Sequence, residues 1–229
     1  MKKILSLVLV TLFILSFTAC GGDEDVRGTI STVSGASETA ESSKADENNN
    51  EFAMGTTNGS VYENSYIGIG CRLDSDWTFY TDEQIKELNQ IAADKGGEEF
   101  AEIMENADIV YDMFVQKTNG DNMNVNLEKV NAITLAALDM STFYNEEMKK
   151  TLKQSLESVG CTNIEMEDTE VVIDGKKFVA VKITSEMSGV KMYQTNFAIK
   201  CSKHIASICI TTMNGDSASS IIEKFYIAE

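Results

Sequence analysis

The last third of this chain constrains its fold more than any other part. Between Val171 and Met213 four apolar runs are separated by turn signals too short for anything but reversal. Val171-Val172-Ile173 and Lys176–Ile183 flank Asp174-Gly175, a strong hairpin signal because both residue types tolerate positive φ. Ser188-Gly189 leads into Val190–Cys201, and Ser202-Lys203 leads into His204–Met213. Strands joined by such tight turns must run antiparallel. A four-strand meander is therefore expected. Asn214-Gly215-Asp216 stops it, and Asp216 or Ser217 caps a last helix with Ile221, Ile222 and Phe225 inward.

Upstream, Tyr66–Leu73 reads as a strand, broken by Asp74-Ser75-Asp76 before the sole tryptophan, Trp77. Thr81-Asp82-Glu83-Gln84 is a capping box, and the helix it opens carries Ile85, Leu88 and Ala92 on one face. Glu98–Asn106 repeats apolar residues at helical spacing through Phe100, Ile103 and Met104. Ile109–Thr118 and Met123–Val130 are strands around the turn Asn119-Gly120-Asp121-Asn122. Phe143–Val159 is helical, with Met148, Leu152, Leu156 and Val159 as its apolar stripe and Gly160 just past its end. This order gives an α+β class, a largely antiparallel sheet of about six or more strands with helices packed on it.

The N-terminus states a location. Lys2 and Lys3 precede an apolar run from Ile4 to Phe17, and after Thr18-Ala19-Cys20 the chain turns polar at Gly21-Gly22-Asp23-Glu24-Asp25. That is the pattern of a secretory signal. The apolar run is shorter than the ~20 residues that cross a bilayer, and no basic flank follows it. Phe17-Thr18-Ala19-Cys20 resembles the lipobox of bacterial lipoproteins, although that family prefers Leu where Phe17 stands. The resemblance implies cleavage before Cys20, lipidation of its thiol, and an anchor in the cell membrane facing the extracellular side, of the Gram-positive type. An ordinary secretory signal with a chance cysteine is the plainer alternative.

Three segments follow: a signal over 1–19, a lipidated cysteine and disordered acidic tether over 20–60, and a single α+β domain over 61–229. The tether carries eight acidic and two basic residues with repeated Ser, Gly and Asn, a composition that builds no core. About 40 such residues reach roughly 35 Å, enough to hold a domain off a lipid surface or to act as a passive spacer. Net charge is −17, and −19 once Lys2 and Lys3 leave with the signal. A chain this acidic does not bind nucleic acid by counterion release, and anionic lipid repels it, so acyl chains are the expected membrane contact. The sequence contains no proline, and we have no functional account of that.

Element order, with Leu73-Asp74-Ser75-Asp76-Trp77-Thr78-Phe79-Tyr80 between the first strand and a helix, resembles the PsbP and Mog1 group, whose fold recurs in small bacterial lipoproteins. The resemblance covers Tyr66 to Tyr226 and implies an α/β/α sandwich. Its members are mostly non-catalytic accessory or binding proteins, and no catalytic residue carries over.

Residue chemistry points the same way. His204, the single histidine, is expected beside the Ser202-Lys203 turn, facing water, and one histidine without Cys-x-x-Cys spacing builds no zinc site. Glu98, Glu99, Glu102 and Glu105 read as a solvated stripe, and Glu165, Glu167, Asp168 and Glu170 lack the spacing of a calcium loop. No catalytic residue, metal or cofactor is therefore assigned. Trp77, Phe79 and Tyr80 either line a candidate ligand pocket or close one end of the core. Cys71, Cys161, Cys201 and Cys209 allow two disulfides but suit buried free thiols better. If Ser202-Lys203 is a two-residue turn, Cys201 faces His204 and Cys209 faces Asn196, too far apart to bridge, with Cys201 the more exposed. The expected function is a lipid-anchored, non-enzymatic binding or accessory protein of the envelope, with a small-molecule or protein partner. A carboxylate-dependent hydrolase and a purely structural envelope protein are the alternatives.

Overall fold

The computed structural model describes residues 52–95, 109–213 and 215–228. The signal, Cys20, most of the tether and the expected helix Glu98–Asn106 lie outside the described residues. The fold is α+β. In chain order it comprises β1 (Thr56–Asn58), β2 (Val61–Asn64), β3 (Ile69–Arg72), β4 (Thr78–Phe79), α1 (Asp82–Lys95), β5 (Ile109–Gln116), β6 (Asn122–Lys129), α2 (Ala132–Ala137), a 3-10 turn (Met140–Thr142) and α3 (Glu146–Ser158). Then come β7 (Thr162–Ile173), β8 (Lys176–Met187), β9 (Val190–Cys201), β10 (His204–Met213), α4 (Ala218–Ile222) and β11 (Phe225–Ile227). Seven strands form one sheet in the order β4-β5-β6-β10-β9-β8-β7, and four form a second in the order β1-β2-β3-β11. Each pairing is antiparallel.

The meander follows its turn chemistry. Asp174 and Gly175 have φ of 48° and 80°, and Ser188 and Gly189 have 50° and 80°, the double positive φ whose twist matches the flanking strands. The register across Ser202-Lys203 is the expected one: His204 faces Cys201 and Asn196 faces Cys209. The four thiols are free and buried, and Cys201 is 9% exposed against 1% for Cys209. The capping box also forms, with the Gln84 N–H donating to Thr81 Oγ1 and the Thr81 N–H donating to Gln84 Oε1. Gly160, at φ 92°, ends α3 and lets the Cys161 N–H reach back to the Leu156 carbonyl at 2.9 Å.

Several elements differ from expectation. Ordered chain begins before Val61: β1 lies in the segment assigned to the tether and pairs with β2. The helix expected from Phe143 starts at Glu146, where the Asn145 side chain accepts from the Met148 N–H and fixes the cap. β7 begins at Thr162, nine residues before the expected strand: it is a sheet edge whose early stretch is mostly exposed and acidic, with Ile164 and Met166 half-buried against the α3 layer. The last helix ends at Ile222, and Phe225 opens a strand that pairs with β3.

The large sheet buries both faces. One carries Met113, Val125, Leu127, Phe197 and Ile208 and packs against the small sheet and α4 through Tyr62, Ile69, Trp77, Ile221 and Phe225. The other carries Val181, Ile183, Ala198 and Ile205 and packs against Met148, Leu152 and Leu156 of α3. The expected sandwich is therefore lopsided: a helix covers one face, and a second sheet with one short helix covers the other. Leu156 is fully buried in the α3 layer. Leu156→Ala should lower unfolding stability by about 2–5 kcal/mol, read from a urea midpoint at unchanged slope, while exposed Lys153→Ala should move it by less than about 0.5 kcal/mol.

Candidate functional site

The most organised polar centre forms where β5 fails to be regular. Tyr111 pairs with Asn126 and Met113 pairs with Val125, so Asp112 has no partner and sits in a β-bulge. The bulge re-aims its carboxylate toward the small sheet. Oδ1 accepts the Gly55 N–H at 2.7 Å. Oδ2 accepts the Asn64 amide at 2.8 Å and the Tyr62 hydroxyl in a short hydrogen bond. Asp112 is 7% exposed, so these three donors replace the water it lost. Burial, then the Asp112 charge, holds the Tyr62 phenol well above its ordinary pKa, so Tyr62 remains a donor.

A cleft of about 240 Å³ opens beside this centre, lined by Gly55, Thr56, Tyr80, Asp82, Ile85 and Asp112, among others. Tyr80 is held there by its N–H on the Phe114 carbonyl at 2.9 Å, its hydroxyl on Gln116 Oε1 at 3.3 Å and its ring against Phe114. The three aromatics singled out in sequence part company. Tyr80 lines the cleft; Trp77 is buried in the core between the sheets, and Phe79 packs against that core. Lys117 sits over the Trp77 ring at 4.8 Å and pairs with Asp76 at 2.9 Å.

His204 corrects the expectation of a water-facing turn residue. It is buried, its Nδ1 is hydrogen-bonded to the Tyr66 hydroxyl at 2.6 Å, and its ring stacks on Phe52 at 4.6 Å. Phe52, from the segment before β1, supplies a cover that local sequence does not announce. Glu165, Glu167, Asp168 and Glu170 lie along edge strand β7, where Asp168 pairs with Lys149 and Glu170 with Lys177 near solvent, so that neither pair adds much stability. Asp121 closes its turn, accepting from the Met213 N–H and the Asn119 amide. Among the described residues no group of three or more His, Cys, Asp or Glu is placed to hold a metal ion. Burial pushes the thiols of Cys71 and Cys201 up to about 12 and that of Cys209 up to about 11. Such thiols stay protonated and are poor nucleophiles.

Sequence reasoning missed a second polar region. The face of the large sheet toward α3 carries Asn122, Asn124 and Asn126 on β6, beside Thr211, Cys209 and Ser207 on β10, with Gln194 and Asn196 beyond them on β9. All are less than a tenth exposed. The Asn126 amide donates to Asn124 Oδ1 at 2.8 Å, and the Gln194 amide donates to Thr211 Oγ1 at 3.2 Å. Asn126 Oδ1 and Gln194 Oε1 are buried without a hydrogen-bond partner. The Asn-Met-Asn-Val-Asn-Leu alternation was the available signal, but it reads equally as a solvated strand face.

No protein-family profile matches this chain, and no curated protein matches it in sequence. Among solved structures the chain is similar to the cyanobacterial PsbP (CyanoP) of Synechocystis sp. PCC 6803, at 12% identity and a TM-score of 0.47 over 77% of this chain and 98% of that one. It is also similar to a protein of Bacteroides thetaiotaomicron, at 14% identity and a TM-score of 0.37 over 75% of this chain and 49% of that one. Likenesses this distant carry no statement about function.

Asp112→Ala should strand three donors and cost about 3 kcal/mol or more in a urea titration, with new protease cleavage between residues 52 and 64. Alkali should act through the thiols. The unfolded chain releases these protons near pH 9, whereas the folded chain keeps those of Cys71 and Cys201 to about 12. Above pH 9 the unfolded state thus binds fewer protons, and stability falls as pH rises. The urea midpoint should be flat from about pH 7 to 8 and decline from about pH 9 upward.

Proposed function

We propose that this chain is a lipid-anchored, extracytoplasmic binding or accessory protein, held by acylated Cys20 on the outer face of the cell membrane and working without catalysis. The observation that carries the non-catalytic part is the state of Asp112. The buried carboxylate in the cleft spends both oxygens on three donors of its own fold, so it braces the site and presents neither oxygen to a substrate. His204 is likewise engaged with Tyr66 and Phe52, and Cys71, Cys201 and Cys209 are protonated by burial. What remains in the cleft is a recognition surface of backbone, Thr56, Tyr80, Ile85 and the α1 carboxylate Asp82.

Anchoring rests on Phe17-Thr18-Ala19-Cys20 and the acidic stretch behind it. Gly55 and Thr56, in the last residues of the segment assigned to the tether, line the cleft. Feeding cells an alkyne fatty acid should label the full chain and leave it in the membrane fraction. Cys20→Ala should abolish the label and release the protein, and a variant that still labels and stays membrane-bound would overturn the anchor.

A further inference from the structure

We propose that the buried polar part of the large sheet, on the α3 side over β6, β10 and β9, binds an uncharged, hydroxyl-rich small molecule of the saccharide or polyol class. This rests on the reading of the protein as a binding module and names a site and ligand chemistry for it.

The argument begins with the strand period. Met123, Val125 and Leu127 of β6 point into the core between the sheets, so the alternate residues Asn122, Asn124 and Asn126 must occupy the opposite face. On a solvated strand three asparagines would need no comment. Here the face is closed, and the register extends it sideways. Asn126 lies beside Ser207, Asn124 beside Cys209 and Asn122 beside Thr211. Asn196 then lies beside Cys209, and Gln194 beside Thr211. The result is a floor three strands wide, about 10 Å across, made of amides, hydroxyls and one thiol. Tyr111 borders it on β5, opposite Asn126. The Tyr144 phenol, from the turn before α3, lies near Cys209, as does that of Tyr111.

Such a floor is costly without a guest. A buried acceptor left unpaired costs about 1–3 kcal/mol, whereas an apolar side chain of similar shape costs nothing comparable. Asn126 Oδ1 and Gln194 Oε1 stand unpaired at opposite corners of the floor. The unmet demand is therefore spread along the floor and suits a ligand carrying several polar groups. The eight floor side chains are neutral, and the buried carboxylate that ends the same β6 row, Glu128, is already engaged within the fold; amides and hydroxyls both donate and accept, as alcohol groups do. A charged ligand would find no counter-charge among them. The floor is covered in the ligand-free chain, so occupancy requires local opening, which weakens the apparent affinity.

The test is a titration of the full-length chain with glucose, N-acetylglucosamine, maltose and glycerol, with acetate and arginine as charged controls. Side-chain amide resonances of Asn124, Asn126 and Gln194 and the thermal midpoint are followed. The expected result is a saturable shift of these amides by a neutral probe and none by the charged controls. Asn126→Leu should raise the thermal midpoint of the unliganded protein and weaken binding by about tenfold. Gln194→Met is the second variant, should the first fail to fold. No saturable shift with any neutral probe up to about 0.1 M, where millimolar affinities register, would overturn the proposal and leave the floor to buried water. So would a shift that both variants leave unchanged. Failure here leaves acylation at Cys20 standing, and an unlabelled Cys20 leaves the titration unaffected.

Discussion

Two separate sheets make up this domain, and the Asp112 carboxylate is a buried polar joint between them. Apolar packing alone would let the small sheet slide, because dispersion and hydrophobic burial are non-directional. A buried carboxylate with three directed donors fixes one position. The joint also propagates. Asn64, one of its donors, turns its own Oδ1 to the backbone N–H groups of Tyr66 and Ile67 at 2.8 and 3.3 Å. That turn delivers the Tyr66 hydroxyl to His204, and His204 stacks on Phe52. A single bulge residue thereby organises the N-terminal segment, the small sheet and the turn between β9 and β10.

The two faces of the large sheet are built to different ends. Toward the small sheet, side chains are large, apolar and interdigitated, with Phe197 at the centre against Phe178 and Phe225. Toward α3, apolar contact is confined to the half near β8 and β9, and the half near β6 is amide-rich. Replacing that amide-rich half with aliphatic residues would give a more stable sandwich.

How much of this was legible follows from the range of each determining interaction. The meander was legible because Asp174-Gly175 and Ser188-Gly189 dictate their turns within a few residues, and register follows from the turn. The capping box at Thr81 and the end of α3 at Gly160 are equally local. β7 was not, because its early stretch sets only two apolar residues, Ile164 and Met166, among acidic ones, too short a period to read before Val171. His204 was misplaced for the opposite reason: its neighbours in sequence are turn residues, and what buries it arrives from Phe52 and Tyr66. Asp112 did leave a trace, a lone carboxylate inside Ile-Val-Tyr-Asp-Met-Phe-Val, yet only the bulge reveals which way it points.

The pairing of β11 with β3 sets a temporal order on the molecule. Phe225 lies against Cys71, so the small sheet gains its last strand from the far end of the described chain. Closing so long a loop is slow relative to forming hairpins, and it cannot begin until the C-terminal residues exist. The meander can assemble early from its own turns, but the covering sheet must wait. A chain made from its N-terminus forward therefore completes its meander before the sheet that covers it.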